Sequence, residues 1–230
     1  MDYTYQDIAG LIDHSLLSPN MSDPELEDGC HVAARYKVAS VCIKPYFVRR
    51  AAELLTGSRV QVGTTIGFPH GGHLTAVKLF EAERAMDDGA GELDMVVNIA
   101  WVLADKWTAV TGEIAEIVKQ AHARRAIVKV IFENCYLKNE HKIRLCEVCA
   151  EAQADYVKTS TGYGSGGATY EDLRLMRKHT PPHIGVKAAG GVRDLDAVLT
   201  VRTIGANRIG ASRTVDILEE CKRRLEMARR

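Results

Sequence analysis

Short apolar runs alternate with amphipathic stretches along the whole chain. The runs are about four to eight residues long and rich in Val and Ile, which predicts strands. They fall at 10–16, 39–43, 60–67, 92–98, 126–132, 155–160, 184–188 and 207–210. Between them, apolar positions recur with helical spacing over 23–36, 45–56, 74–89, 105–125, 138–152, 170–179, 195–203 and 215–227. Several of these segments open on capping signals: Ser22 before Asp23-Pro24-Glu25, Thr169 before Glu171 and Asp172, and Asp194 before Leu195. Strands alternating with helices predict βαβ units and a parallel sheet. Eight such units predict a closed (β/α)8 TIM barrel. An open doubly wound sheet is the alternative, but no G-x-G-x-x-G follows the first strand. No linker or low-complexity tract divides residues 1–230, so one catalytic domain is expected.

The polar residues interrupting this pattern sit at strand ends. Asp13 and His14 close the first strand, and Cys42 and Lys44 the second. Asp94 and Asn98 flank the fourth, Lys129 and Glu133 the fifth, Lys158 the sixth and Lys187 the seventh, and Ser212 follows the eighth. In a (β/α)8 barrel these positions converge on one mouth. Asp94 and Lys129 each interrupt an apolar run, Leu93-Asp94-Met95-Val96-Val97 and Ile127-Val128-Lys129-Val130-Ile131. They are read either as an ion pair inside the barrel or as part of the chemistry. Cys42 is read as a small buried filler or as pocket lining.

The stretch Asp155-Tyr156-Val157-Lys158-Thr159-Ser160-Thr161-Gly162 delivers a lysine at the end of an apolar strand and then opens into hydroxyls and glycines. Burial disfavours the charged form of such a lysine and makes its amine a nucleophile able to form a Schiff base. Ile184-Gly185-Val186-Lys187-Ala188-Ala189-Gly190-Gly191 repeats the plan. Consecutive parallel strands would set Lys187 beside Lys158, and a second cation depresses the amine further. The glycine loops after the last strands leave backbone N–H groups free for a phosphate.

Composition narrows the field. Thirty basic and thirty acidic side chains cancel, which argues against nucleic acid or a membrane held by bulk charge. No apolar run approaches a membrane span, and the N-terminus lacks signal-peptide features, so a cytoplasmic protein is expected. The cysteines at 30, 42, 135, 146, 149 and 221 are expected to be reduced. Cys146 and Cys149 lie within a helical pattern and are read as packing. His70 and His73 are read as loop residues, and Trp101 and Trp107 as packing. No metal site and no cofactor are expected.

Taken together, these blocks resemble the deoxyribose-phosphate aldolase family over nearly the whole chain. The resemblance runs through Ile12-Asp13-His14-Ser15-Leu16-Leu17, Val41-Cys42-Ile43-Lys44-Pro45, Ile66-Gly67-Phe68-Pro69 and Glu92-Leu93-Asp94-Met95-Val96-Val97-Asn98. It continues through Lys129-Val130-Ile131-Phe132-Glu133, Val157-Lys158-Thr159-Ser160-Thr161-Gly162, Val186-Lys187-Ala188-Ala189-Gly190-Gly191-Val192-Arg193 and Arg208-Ile209-Gly210-Ala211-Ser212. It implies a class I, metal-free lyase of deoxyribose phosphate catabolism. Such an enzyme reversibly joins acetaldehyde and glyceraldehyde 3-phosphate into 2-deoxyribose 5-phosphate, so its partners are a small aldehyde and sugar phosphates. Lys158 would then be the Schiff-base lysine. Lys187 would lower its pKa and move protons, and Asp94 would assist proton transfer through a water. Gly162, Gly190, Gly191, Gly210 and Ser212 would hold the phosphate, with Thr161, Lys129 and Cys42 as further substrate contacts. A homo-oligomer, a dimer in the simplest case, is compatible with the chain, but no apolar face defines its interface.

Three features depart from the family pattern: Ser18 after the first-strand motif, His70-Gly71-Gly72 after Pro69, and Arg213-Thr214 after Ser212. Arg213 is read either as an added anion grip or as a solvated helix start. These departures leave open a Schiff-base aldolase of the same fold with another aldehyde or phosphorylated sugar. A phosphosugar-binding barrel without catalysis is a third reading.

Overall fold

The structure is a computed structural model that describes residues 2–228. Its strands are β1 (Ile12–Leu16), β2 (Ser40–Ile43), β3 (Gln61–Ile66), β4 (Glu92–Val96), β5 (Ile127–Ile131), β6 (Tyr156–Lys158), β7 (Gly185–Ala189) and β8 (Arg208–Ala211). All pair in parallel in sequence order, and β1 also pairs with β8, which closes the barrel. The expected eight-stranded (β/α)8 architecture is therefore present.

The principal helices pack outside: α2 (Asp23–Tyr36), α3 (Val48–Leu54), α4 (Thr75–Asp87), α6 (Trp107–Ala123), α7 (Asn139–Glu151), α8 (Tyr170–His179), α9 (Leu195–Ile204) and α10 (Thr214–Met227). Two short helices were not expected. In α1 (Tyr5–Ala9), a reciprocal cap between Thr4 and Asp7 compensates for the short length. It ends at Gly10, so β1 begins at Ile12 and not at residue 10. In α5 (Ile99–Leu103), the Asn98 side chain accepts from the Trp101 N–H. The expected helix over 45–56 begins as a 3-10 turn, Pro45–Phe47.

The core between strands and helices is aliphatic, with Ile8, Leu26, Leu93, Ile114, Val130, Leu145 and Val186 fully buried. Cys146 and Cys149 are buried thiols within α7. Buried ion pairs interrupt this layer, among them Lys142 with Asp172 at 2.6 Å. Lys78 on α4 donates to Glu113 on α6 at 2.6 Å and to the Val96 carbonyl at 2.7 Å. It ties two helices to the end of β4, two residues beyond Asp94. No helix of the described residues is long and apolar enough to cross a membrane.

Register sets the interior. Lys158 and Lys187 are direct neighbours across β6 and β7, Lys187 and Arg208 across β7 and β8, and Asp94 and Lys129 across β4 and β5. The centre of this barrel is thus charged, where such barrels are more often filled by branched aliphatic side chains.

Candidate active site

Asp94 is the hub of this interior. Its Oδ2 accepts from Lys158 Nζ and from Lys187 Nζ, each at 2.6 Å. Its Oδ1 accepts from Lys129 Nζ at 2.8 Å. Lys187 also donates to Asp13 at 2.5 Å, and Lys129 to Glu92 at 2.6 Å. Arg208 closes the network from β8, donating to Asp13 at 2.6 Å and to both oxygens of Glu92 at 2.5 and 2.6 Å. Each of these side chains except Arg208, which is partly buried, is almost wholly shielded from water. Unpaired, any of them would be expensive to bury; shared hydrogen bonds make the cluster tolerable.

The cluster drives its two central amines in opposite directions. Burial lowers the pKa of Lys158; Asp94 opposes the shift and the Lys187 ammonium adds to it, with the net result downward. Burial also works against the charge on Lys187, but Asp13 and Asp94 together outweigh it and raise its pKa. Asp94 feels burial pushing its carboxyl up, yet Lys129, Lys158 and Lys187 hold it well below the usual carboxylate range. Asp13 behaves alike, held down by Lys187, Lys129 and Arg208. Two amines pushed in opposite directions thus meet on one oxygen of a carboxylate that is held toward its ionised form. Groups pushed apart in this way are what acid–base chemistry requires.

Above the cluster lies a cavity of about 500 Å³. Lys158, Lys187 and Cys42 form part of its wall, with Thr161 and Gly162 from the loop after β6. Gly190, Gly191, Gly210 and Ser212 line it from the loops after β7 and β8. Residues at the ends of distant strands thus converge on the mouth, as the barrel geometry predicts. Asp94 and Lys129 do not line the cavity. Lys129, expected as a substrate contact, is held below it by Glu92 and Asp94; of its two readings, the geometry favours the interior ion pair. Asp94 touches both amines directly.

The glycines of the mouth allow close backbone approach. Gly190 has φ +80°, and a Cβ on Gly167 would stand 2.4 Å from the Gly190 carbonyl oxygen. Ala168 N donates to the Gly190 carbonyl at 2.9 Å, joining the loops after β6 and β7. Thr161 lines the cavity, but its hydroxyl is engaged by the loop. It makes a short contact to buried Glu133 and accepts from Tyr163 N at 2.9 Å. The Thr161 backbone N–H donates to the same carboxylate at 3.1 Å. Tyr163 then spans the mouth, donating its hydroxyl to the Leu17 carbonyl at 2.8 Å and meeting Phe68 edge-on.

The flagged departures separate. Ser18 lines the cavity. Arg213 pairs with Asp216 at 2.9 Å on the exposed start of α10 and does not line the cavity, whereas Arg193 does. His70 and His73 are exposed loop residues. Among the described residues no group of three or more His, Cys, Asp or Glu is arranged to hold a metal. Burial and the Asp94 charge push the Cys42 thiol up to about 11. Nδ1 of buried His14 lies 2.7 Å from Thr214 Oγ1, and burial lowers the pKa of the ring to about 4.

Asp13, Glu92, Arg208 and Glu133 were not assigned roles from sequence. For Asp13, Glu92 and Arg208 a signal existed: a charge within an apolar strand, the same one that singled out Asp94 and Lys129.

Comparison with known proteins gives a consistent result. The sequence profile described as "DeoC/LacD family aldolase" matches residues 8–217. A deoxyribose-phosphate aldolase of Rhodopirellula baltica is 56% identical over 226 residues, covering 98% of this chain and 94% of that protein. One from Thermococcus gammatolerans is 49% identical, covering 93% and 96%. The tetrameric deoxyribose phosphate aldolase of Aeropyrum pernix superposes with a TM-score of 0.88 at 32% identity, covering 95% of this chain and 92% of that one.

Proposed function

From the premise that this chain belongs to the DeoC/LacD family of aldolases, we propose that it reversibly cleaves 2-deoxy-D-ribose 5-phosphate to D-glyceraldehyde 3-phosphate and acetaldehyde through a Schiff base on Lys158. One observation carries the assignment to Lys158: it is the amine of the central cluster that is driven toward neutrality and lines the cavity.

The chemistry follows from the pairing. The neutral Lys158 amine attacks the aldehyde carbon of the open-chain sugar. The Lys187 ammonium protonates the carbinolamine hydroxyl, which leaves as water. The resulting iminium draws electrons from the C2–C3 bond, while the now neutral Lys187 amine accepts the C3 hydroxyl proton. Glyceraldehyde 3-phosphate departs. Lys187 returns the proton to C2 of the enamine, and hydrolysis frees acetaldehyde and the lysine. Asp94 remains ionised throughout and holds both amines in line. The phosphate rests on backbone N–H groups of Gly162, Gly190, Gly191 and Gly210, with Ser212 and the nearby Arg193.

Cavity-lining Ser18 favours a second reading, the same chemistry on a different aldehyde. Cleavage rates on 2-deoxyribose 5-phosphate and on unphosphorylated 2-deoxyribose separate the two. The first reading requires the phosphorylated sugar to win in kcat/KM by at least about a hundredfold. Equal rates contradict it. The six thiols and a small sugar phosphate fit a cytoplasmic place of action, and the tetrameric relative supports an assembly of copies for this chain too.

A further inference from the structure

Four basic side chains and three carboxylates share the interior network. From β1, Asp13 faces it, while the next residue, His14, turns to Thr214; from β2 comes Cys42; from β4, Glu92 and Asp94; from β5, Lys129, with Glu133 just beyond. Lys187 comes from β7 and Arg208 from β8, while β3 contributes only the uncharged Thr64 and Thr65. His14 is neutral near pH 7, and the Cys42 thiol is protonated.

The contacts are distributed unequally. Lys187 touches Asp13 and Asp94. Lys129 touches Glu92 and Asp94, and reaches Asp13 at 3.6 Å. Arg208 touches Asp13 and Glu92. Each of these three bases therefore holds at least two carboxylates, and three charges of each sign cancel. Lys158 touches one carboxylate only, Asp94, which both other lysines already share. A fourth positive charge in this enclosure would have no counterion, and an uncompensated buried charge is costly.

We propose that Arg208 and Glu92, neither of which lines the cavity, are positioning residues that set the proton count of the cluster, so that Lys158 is the base left uncharged. This deepens the aldolase reading and rests on Lys158 being the amine that forms the Schiff base. Glu92 bonds to Lys129 and Arg208, and Arg208 bonds to Asp13 and Glu92, so both act on Lys158 through the cluster's charge and not by contact.

Changing the count from this remote position should move the pH at which Lys158 becomes available. Arg208→Gln removes a positive charge, so Lys158 retains its proton to higher pH. Glu92→Gln removes a negative charge with little change of shape, so Lys158 loses its proton at lower pH. The double variant restores the balance. The readout is the initial rate of adduct formation on Lys158 with acetaldehyde and borohydride, followed across pH for wild type and the three variants. The expected result is a midpoint raised by about one pH unit in Arg208→Gln and lowered by about one in Glu92→Gln. The double variant should lie between them, close to wild type. A merely structural role would reduce the amount of adduct without displacing the midpoint, so unmoved midpoints overturn the proposal. So does a double variant shifted as far as either single one. If Arg208→Gln does not fold, the acidward shift of the isosteric Glu92→Gln and its reversal in the double variant still decide. A wild-type protein that forms no adduct at any pH overturns the underlying aldolase reading, an outcome distinct from adducts with unmoved midpoints.

Discussion

Lys158 and Lys187 place their amines on a single oxygen, Asp94 Oδ2, at 2.6 Å each. The two nitrogens therefore lie within two hydrogen-bond lengths of each other, although their strands contribute them from separate βα units. The shared oxygen divides their roles. Lys187 has a second carboxylate in Asp13, which raises its pKa, whereas Lys158 has no second carboxylate and burial lowers its pKa.

Replacing Lys187 by Met removes the neighbouring cation while Asp94 stays. The pKa of Lys158 then rises, because Lys187 is one of the causes lowering it. Cleavage needs the free amine, so the acid limb of the kcat/KM profile moves to higher pH. Loss of the proton donor lowers kcat by about 10²–10⁴-fold. A full pH–rate profile checks both effects, and an acid limb at its wild-type position shows that the amines are uncoupled.

Asp94→Asn tests the hub. Three lysines lose their common anion, which breaks a buried ionic network by removing one partner; the destabilisation should be about 3–5 kcal/mol. In a chain of this size the unfolding midpoint should then fall by about 10 °C. Calorimetry checks this, and a midpoint within a degree or two of wild type contradicts the network.

Glu133 holds the Thr161 hydroxyl and backbone N–H at the start of the glycine loop. Glu133→Ala frees that loop without touching Lys158. KM for the phosphorylated sugar should rise by about tenfold, while borohydride trapping of acetaldehyde stays within about threefold. Equal losses in both assays would place Glu133 in the chemistry itself.

Much of this was legible before the fold was known, and the missing parts have physical causes. Strand and helix alternation is a local pattern, so the barrel could be read from it. Lys158 stood out because an apolar strand ending in a lysine before glycines is a local oddity. The sharing of Asp94 was not legible, since the two lysines on its Oδ2 lie 64 and 93 positions away, and Lys187 meets Asp13, 174 positions away, only because β8 closes on β1. The orientation of Arg213 depends on its local pairing with Asp216, which competes with the cavity. Thr161, expected as a substrate contact, lines the cavity, but its hydroxyl is engaged by Glu133, whose left-handed backbone, φ 58°, gives no sequence signal. The short α1 leaves no mark in the sequence pattern, because five residues carry too little periodicity.

His14 supplies a stability prediction. Its pKa is lowered from 6.5 to about 4 by burial. Between those values the unfolded chain binds more protons than the folded one, so folding stability rises with pH across this window and falls as acid is added. The slope is about 1.4 kcal/mol per pH unit from this group alone. His14→Asn can still reach Thr214 but does not titrate, so its unfolding free energy should depend less steeply on pH between 4 and 6.5. Denaturant titrations of both proteins at several pH values check the difference. Parallel curves contradict it.

The proposed aldol cleavage requires Lys158 to be an uncharged, accessible nucleophile. Incubation with acetaldehyde and borohydride, followed by proteolysis and peptide mass mapping, tests this most directly. The predicted result is one ethyl group, carried by Lys158, with Lys187 and Lys129 unmodified. A modification confined to Lys187, or a protein that leaves the reaction unlabelled, contradicts the assignment.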